Sequence, residues 1–280
     1  VQYQWYPGHM VKAKKLIKEN LKLVDLVLEL LDARIPLSSR NPDIDEIVGQ
    51  KPRIILLSKC DLADKEKTNL WINYFTKNNI KCVEVDLIKG TGLKKVLSLA
   101  KEIGVQKHQH QLLKGRINRP TRMMILGIPN VGKSTLINKL ANRSVAQTGD
   151  KPGVTKNKQW IKTGNNLEMM DTPGVLWPKF DDEMVGFKLA VTGAIRDEIV
   201  NFEDMAYRLI EFLMDNYPGL LNKRYGVPEN ITAPEYLIAL SEKRGFLKQG
   251  NIVDYLKGAQ SLVREFRQGK LGRITLDLLS

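Results

Sequence analysis

The 280-residue chain is 42% hydrophobic and 27% charged, which is enough apolar material for one large core or two modest ones. No apolar run approaches the roughly 20 residues of a membrane span, the first residues hold no signal-peptide core, and Cys60 and Cys82 form neither a disulfide framework nor a zinc spacing. A cytoplasmic chain with two reduced, inert thiols and no membrane partner is therefore expected. Lys and Arg number 44 against 31 Asp and Glu, a net +13. Residues 1–120 hold 22 basic and 13 acidic side chains, 121–179 hold 9 and 3, and 180–280 hold 13 and 15, although from Lys243 onward the balance is 8 to 3. Such a field suits a polyanionic partner, nucleic acid before membrane.

The opening, Val1 to Met10, is aromatic-rich and turns around Pro7-Gly8. Val11 to about Leu23 then follows a helical period, with Ala13, Leu16, Ile17 and Leu21 on one face and lysines on the rest. Val24 to Leu31 reads as a buried strand ending in Asp32-Ala33-Arg34, and Arg34 to Pro42 as a loop. A second strand, Arg53 to Leu57, ends in Ser58-Lys59-Cys60-Asp61 and precedes a helix from Asp64 to Lys77. The third, Lys81 to Val85, leads through Asp86 and Gly90-Thr91-Gly92 to a helix over Leu93–Ile103. Residues 104–120, with His108 and His110, read as a polar connection. Met123 to Leu126 is a fourth strand, followed by Gly127-Ile128-Pro129-Asn130-Val131-Gly132-Lys133-Ser134 and a helix to Leu140. Residues 142–158 read as a loop, and 159–162 with 167–170 as a hairpin delivering Asp171-Thr172-Pro173-Gly174. Helices follow at Asp182–Ala190, Phe202–Asn216, Ala233–Lys243 and Ile252–Gln268. Strands alternating with helices predict a mostly parallel, doubly wound α/β sheet over residues 1–178, and the remainder, 179–280, an all-α domain.

Gly127 to Ser134 lies between a strand and a helix, the context in which a glycine-bounded loop with Lys-Ser cradles phosphates on its backbone N–H groups. Asn130, Val131, Gly132, Lys133, Ser134 and Thr135 are the candidate contacts, with Lys133 on the β- and γ-phosphates and Ser134 on Mg2+. Asp171 would reach the Mg2+ shell directly or through water. Thr155 would close over the metal, and the Gly174 N–H would meet a γ-phosphate. Ser58-Lys59-Cys60-Asp61 resembles the Asn-Lys-x-Asp signature of GTPases, with Ser58 in place of Asn. A carboxylate at Asp61 accepts from guanine N1–H and the N2 amine, a donor pair adenine lacks, while the Lys59 stem lies along the base. This turn precedes the phosphate loop, whereas in Ras-like enzymes it follows. Both end strands at one sheet edge, so the order reads as a circularly permuted P-loop GTPase fold. No residue is assigned in Asp86-Leu87-Ile88, where the last guanine loop would fall. A nucleotide-gated RNA-binding scaffold without turnover and a P-loop ATPase or kinase are the alternatives.

Trp5-Tyr6-Pro7-Gly8-His9-Met10, Asp32-Ala33-Arg34-Ile35-Pro36, the phosphate loop, Pro152 to Thr155, Asp171 to Gly174 and the helical C-terminal domain together resemble the ribosome biogenesis GTPase A family, over essentially the whole chain. The resemblance implies GTP hydrolysis to GDP and phosphate, stimulated by the ribosomal particle. It also implies action on the precursor of the large (50S) ribosomal subunit, with the C-terminal domain on ribosomal RNA. A monomer is the default. Val175 stands where Ras-like enzymes place the water-orienting Gln, and similar proteins point to His9 as the catalytic residue in its stead. In some GTPases an Asn at the position of Asn130 helps to bind K+, which predicts K+ as a second cofactor beside Mg2+.

Overall fold

The apolar runs read as strands build one sheet of six strands. The computed structural model describes residues 15–112, 119–141, 160–163, 166–170 and 182–279. Strands β1 (Leu26–Asp32), β2 (Arg53–Ser58), β3 (Lys81–Val85), β4 (Thr121–Gly127), β5 (Trp160–Thr163) and β6 (Leu167–Met170) form one sheet in the order β3-β2-β1-β4-β6-β5. All neighbours pair in parallel except β5 with β6, which are antiparallel as the hairpin pattern predicts. Every residue of β1 is buried, as expected of a central parallel strand covered on both faces. The carboxyl ends of the parallel strands face one edge, and Asp32, Ser58, Val85 and Gly127 all stand there.

Helix α1 (residues 15–21) precedes this sheet, and the short helix α2 (Ile44–Val48), for which the sequence carried no expectation, follows the loop expected over Arg34 to Pro42. In α3 (Lys65–Lys77), Asp64 caps the N-terminus by accepting from the backbone N–H groups of Glu66 and Lys67. Its Thr68, Trp71 and Phe75 are buried at the three-to-four-residue spacing of one helix face. Trp71 and Phe75 share a core cluster with Leu31, Ala33, Ile55, Leu57, Ala63 and Cys82. Burial pushes the Cys82 thiol up to about 12 and the Cys60 thiol up to about 11, which keeps both protonated and unreactive at neutral pH.

Helix α4 (Leu93–Leu112) corrects the expectation that the helix ends at Ile103 and that a polar connection begins at residue 104. Gly104 looks like a stop but is a contact. A Cβ there would lie 2.0 Å from Oγ1 of Thr121 at the start of β4, so glycine is what lets the helix backbone approach the strand. His108 and His110 are consequently helical rather than in a loop. Helix α5 (Lys133–Ala141) follows β4.

The described residues 182–276 form a second unit. Its helices are α6 (Glu183–Val191), α7 (Phe202–Asn216), α8 (Leu220–Tyr225), α9 (Ala233–Lys243) and α10 (Tyr255–Arg267). The start of α9 is encoded locally: Thr232 accepts from Glu235 N–H, the Glu235 carboxylate accepts from Thr232 N–H, and proline stands in the first turn. Gly258 of α10 packs so tightly on α9 that a Cβ would lie 1.9 Å from Oγ of Ser241. The helix expected from Ile252 begins at Tyr255 instead, because Ile252–Val253 pairs antiparallel with Leu247–Lys248. The turn between these strands, Gly250-Asn251, has φ of +83° and +60°, the left-handed geometry of a tight hairpin. Residues 277–279 lie with the sheet unit, where Leu279 packs on the Trp71 cluster. No helix among the described residues is long and apolar enough to cross a membrane.

Candidate functional site at the carboxyl edge of the sheet

Chain geometry alone sets the phosphate loop apart. Gly127 ends β4 so close to β1 that a Cβ would lie 2.6 Å from the Leu30 carbonyl oxygen. Asn130 and Gly132 adopt φ of +57° and +107°, which asparagine tolerates and glycine favours. A Cβ on Gly132 would also lie 2.8 Å from Cδ1 of Leu87. Lys133 begins α5, is 9% exposed, and its ammonium donates to the carbonyls of Ile128 at 2.8 Å and Gly127 at 3.1 Å. It thus closes the loop across which a phosphate chain would run. Ser134 and Thr135 follow in the first turn of α5 and are half-buried.

The turn Ser58 to Asp61 meets this loop directly. Ser58 is fully buried, and its hydroxyl oxygen lies 2.9 Å from the carbonyl oxygens of both Leu31 and Val131. One hydroxyl proton serves one of these acceptors at a time. A side chain at the end of β2 therefore touches the backbone of a loop 73 residues away in sequence. Lys59 has φ +56°, and its ammonium lies 3.0 Å from Oδ2 of Asp32. Asp61 is half-buried at the same edge.

The loop to which the sequence assigned no residue is also there. Oδ1 of Asp86 accepts from the N–H groups of Ile88 and Lys89 at 2.9 Å, Leu87 faces Gly132, and Lys139 of α5 donates to the Ile88 carbonyl at 2.9 Å. An Asp at a strand end followed by Gly90-Thr91-Gly92 is the signal that could have found this turn. His9, Thr155, Asp171, Gly174 and Val175 lie outside the described residues, although β6 ends at Met170, immediately before Asp171. The Ser134 hydroxyl at the mouth of the loop is a hard oxygen donor, which fits Mg2+. Among the described residues no group of three His, Cys, Asp or Glu could hold a metal by itself.

A family of 50S ribosome-binding GTPases matches residues 122–233, the stretch that begins with β4 and the phosphate loop. Over a far longer span the chain is 51% identical to the ribosome biogenesis GTPase A of Priestia megaterium, across 278 residues that cover 98% of this chain and 96% of the relative. The chain belongs to the ribosome biogenesis GTPase A family. The family member of Thermotoga maritima is 32% identical over 273 residues, covering 98% of this chain and 93% of that one. Among solved structures, GDP-bound YlqF superposes with a TM-score of 0.68 at 28% identity, over 94% of this chain and 98% of the other. GNP-bound YlqF from T. maritima gives 0.68 at 29%, over 95% and 97%. The chain is accordingly a GTP hydrolase of ribosome assembly with a circularly permuted GTPase fold.

Proposed function

We propose that this ribosome biogenesis GTPase A family member works on the precursor of the large (50S) subunit, where its ribosomal RNA is the ligand of the helical domain over residues 179–280 and the ribosomal particle stimulates GTP turnover. The observation that carries the nucleotide half of this reading is the Ser58 hydroxyl against Val131, because it sets the turn read as guanine-selective beside the phosphate loop, close enough for one nucleotide to meet both. In this reading guanine lies against Lys59 and Asp61. The β- and γ-phosphates replace the Gly127 and Ile128 carbonyls as partners of the Lys133 ammonium, and the N–H groups from Asn130 to Thr135 take the remaining phosphate oxygens. Mg2+, held by Ser134, Thr155 and Asp171, supplies charge neutralisation at the phosphates.

Thr155 and Gly174 then report the γ-phosphate, which sets the docking-competent state of residues 1–178 relative to ribosomal RNA. An apolar Val175 holds no water, and the resemblance to similar proteins makes His9 the residue that orients the nucleophile. K+ bound by Asn130 adds the positive charge that an arginine finger otherwise brings. The exposed Lys243, Lys248, Lys257, Arg264, Lys270 and Arg273 support the RNA contact. Arg267 is spent internally, on the Ala190 and Val191 carbonyls and Asp197. The protein is proposed to act as a cytoplasmic monomer.

The test is GTP turnover with and without purified 50S subunits, for wild type and His9→Ala, in K+ and in Na+ buffer. Stimulation by the subunits, lost in His9→Ala and reduced in Na+, is the expected result. Unstimulated turnover in wild type would refute the ribosomal reading, and a fully stimulated His9→Ala would refute the role of His9.

A further inference from the structure

The carboxyl end of β1 grips the base-reading turn at three points. Ala33 N–H donates to the Ser58 carbonyl at 2.8 Å. The Ser58 hydroxyl approaches the Leu31 carbonyl at 2.9 Å, and the Lys59 ammonium meets Asp32 Oδ2 at 3.0 Å. Lys59 is a long, branched-nowhere side chain in the left-handed region, at φ +56°, a conformation that non-glycine residues hold only where their surroundings impose it. Asp32 is built to impose it. It is 2% exposed, and its carboxylate is itself immobilised by Arg34, whose Nε donates to Oδ1 at 2.9 Å and Nη2 to Oδ2 at 2.7 Å. The Arg34 N–H adds a third bond to Oδ1 at 3.0 Å, and Arg34 is 1% exposed. Burial works against the Asp32 charge, but Arg34 and Lys59 outweigh it and hold the carboxyl well below the usual carboxylate range. The anion is therefore permanent at any physiological pH, and it is aimed at the residue whose stem is to lie along the base.

We propose that Asp32, clamped by Arg34, is a positioning residue for guanine recognition: it fixes the Lys59 side chain and the strained turn that carries it, and so sets nucleotide affinity without touching the nucleotide. This rests on the reading of Lys59 and Asp61 as the guanine contacts. The Asp-Ala-Arg segment thereby acquires a task in the hydrolase, and the order of elements makes sense of it. In this permuted chain β1 lies between the strand of the base-reading turn and the strand of the phosphate loop, so its end residues are the ones within reach of both.

The experiment is a double-mutant cycle on GDP affinity, measured with a fluorescent GDP on the full chain for wild type, Asp32→Asn, Lys59→Ala and the double variant, with folding checked by thermal unfolding. The loss of one charge-assisted contact weakens binding by about tenfold, so each single variant is expected to lose about that much. The double variant is expected to bind no worse than Lys59→Ala, because the two act through one contact. Losses that multiply would overturn the proposal, as would wild-type affinity in Asp32→Asn. Wild-type affinity in Lys59→Ala would instead overturn the guanine reading beneath it. Should Asp32→Asn fail to fold because Arg34 keeps a buried charge, Asp32→Asn with Arg34→Leu removes both charges and carries the same cycle.

Discussion

Ser58 shows how much a single hydroxyl does at this site. It stands where the GTPase signature carries Asn, and it is shorter by the very amide that would offer two donors. With one proton it serves either the Leu31 or the Val131 carbonyl, both at 2.9 Å. Ser58→Ala leaves both buried oxygens without that donor, which is expected to cost about 1–3 kcal/mol. Urea unfolding would read this as a lower midpoint with an unchanged slope, and GDP affinity should fall with it. The residue type and its place at a strand end were legible in the sequence. Its grip on the phosphate loop was not, because that contact depends on which strands lie side by side.

At the scale of elements, the strand and helix periods were legible wherever one face is buried, and they failed where a glycine makes a contact instead of a stop. Gly104 is the example: its missing Cβ admits Thr121 at a distance no other residue allows. The junction of α4, β1 and β4 has an electrostatic lock beside it. Asp25, fully buried just before β1, accepts from Arg119 at 2.8 and 2.9 Å, from Arg122 N–H at 2.9 Å, and pairs with Lys107 at 3.0 Å. Burial alone would raise its pKa, but the Arg119 and Arg122 bonds and Lys107 outweigh burial and lower it from 3.8 to about 2. A depressed folded-state value means that the stabilisation is complete above the unfolded value and is lost as pH falls through about 2. The amount is roughly 2 kcal/mol. Acid titration of stability should show that loss in wild type between about pH 4 and 2, and Asp25→Asn should lack this contribution while being less stable at neutral pH.

For the molecule as a whole, the C-terminal residues belong to the sheet unit and not to the helices that precede them. Asp277 is 4% exposed. Its carboxylate accepts from the Ser38 N–H and hydroxyl, both at 2.7 Å, and its backbone carbonyl accepts from the Trp71 indole at 3.0 Å. The core around Trp71 is thus completed by the end of the chain. Asp277→Ala is expected to destabilise the GTPase unit by about 3–6 kcal/mol, the worth of two hydrogen bonds to a buried charge. Denaturant unfolding followed by tryptophan fluorescence would measure it, and an unchanged midpoint would show that the tail adds nothing. Position 277 carries no sequence signal for this, since its partner Ser38 is 239 residues away.

Alternating apolar strands and helices, the phosphate loop between β4 and α5, the Lys-x-Asp turn after β2 and the reversed order of the two were all determined by the amino-acid sequence. Each is a local pattern in which backbone geometry and residue type suffice. The tertiary structure alone decided that Ser58 touches Val131, that Asp32 holds Lys59, that the Asp86 turn joins the same edge and that Asp277 closes the Trp71 core. These contacts join residues whose proximity comes from strand order and chain return, and a pattern read along the chain carries no distance between its ends.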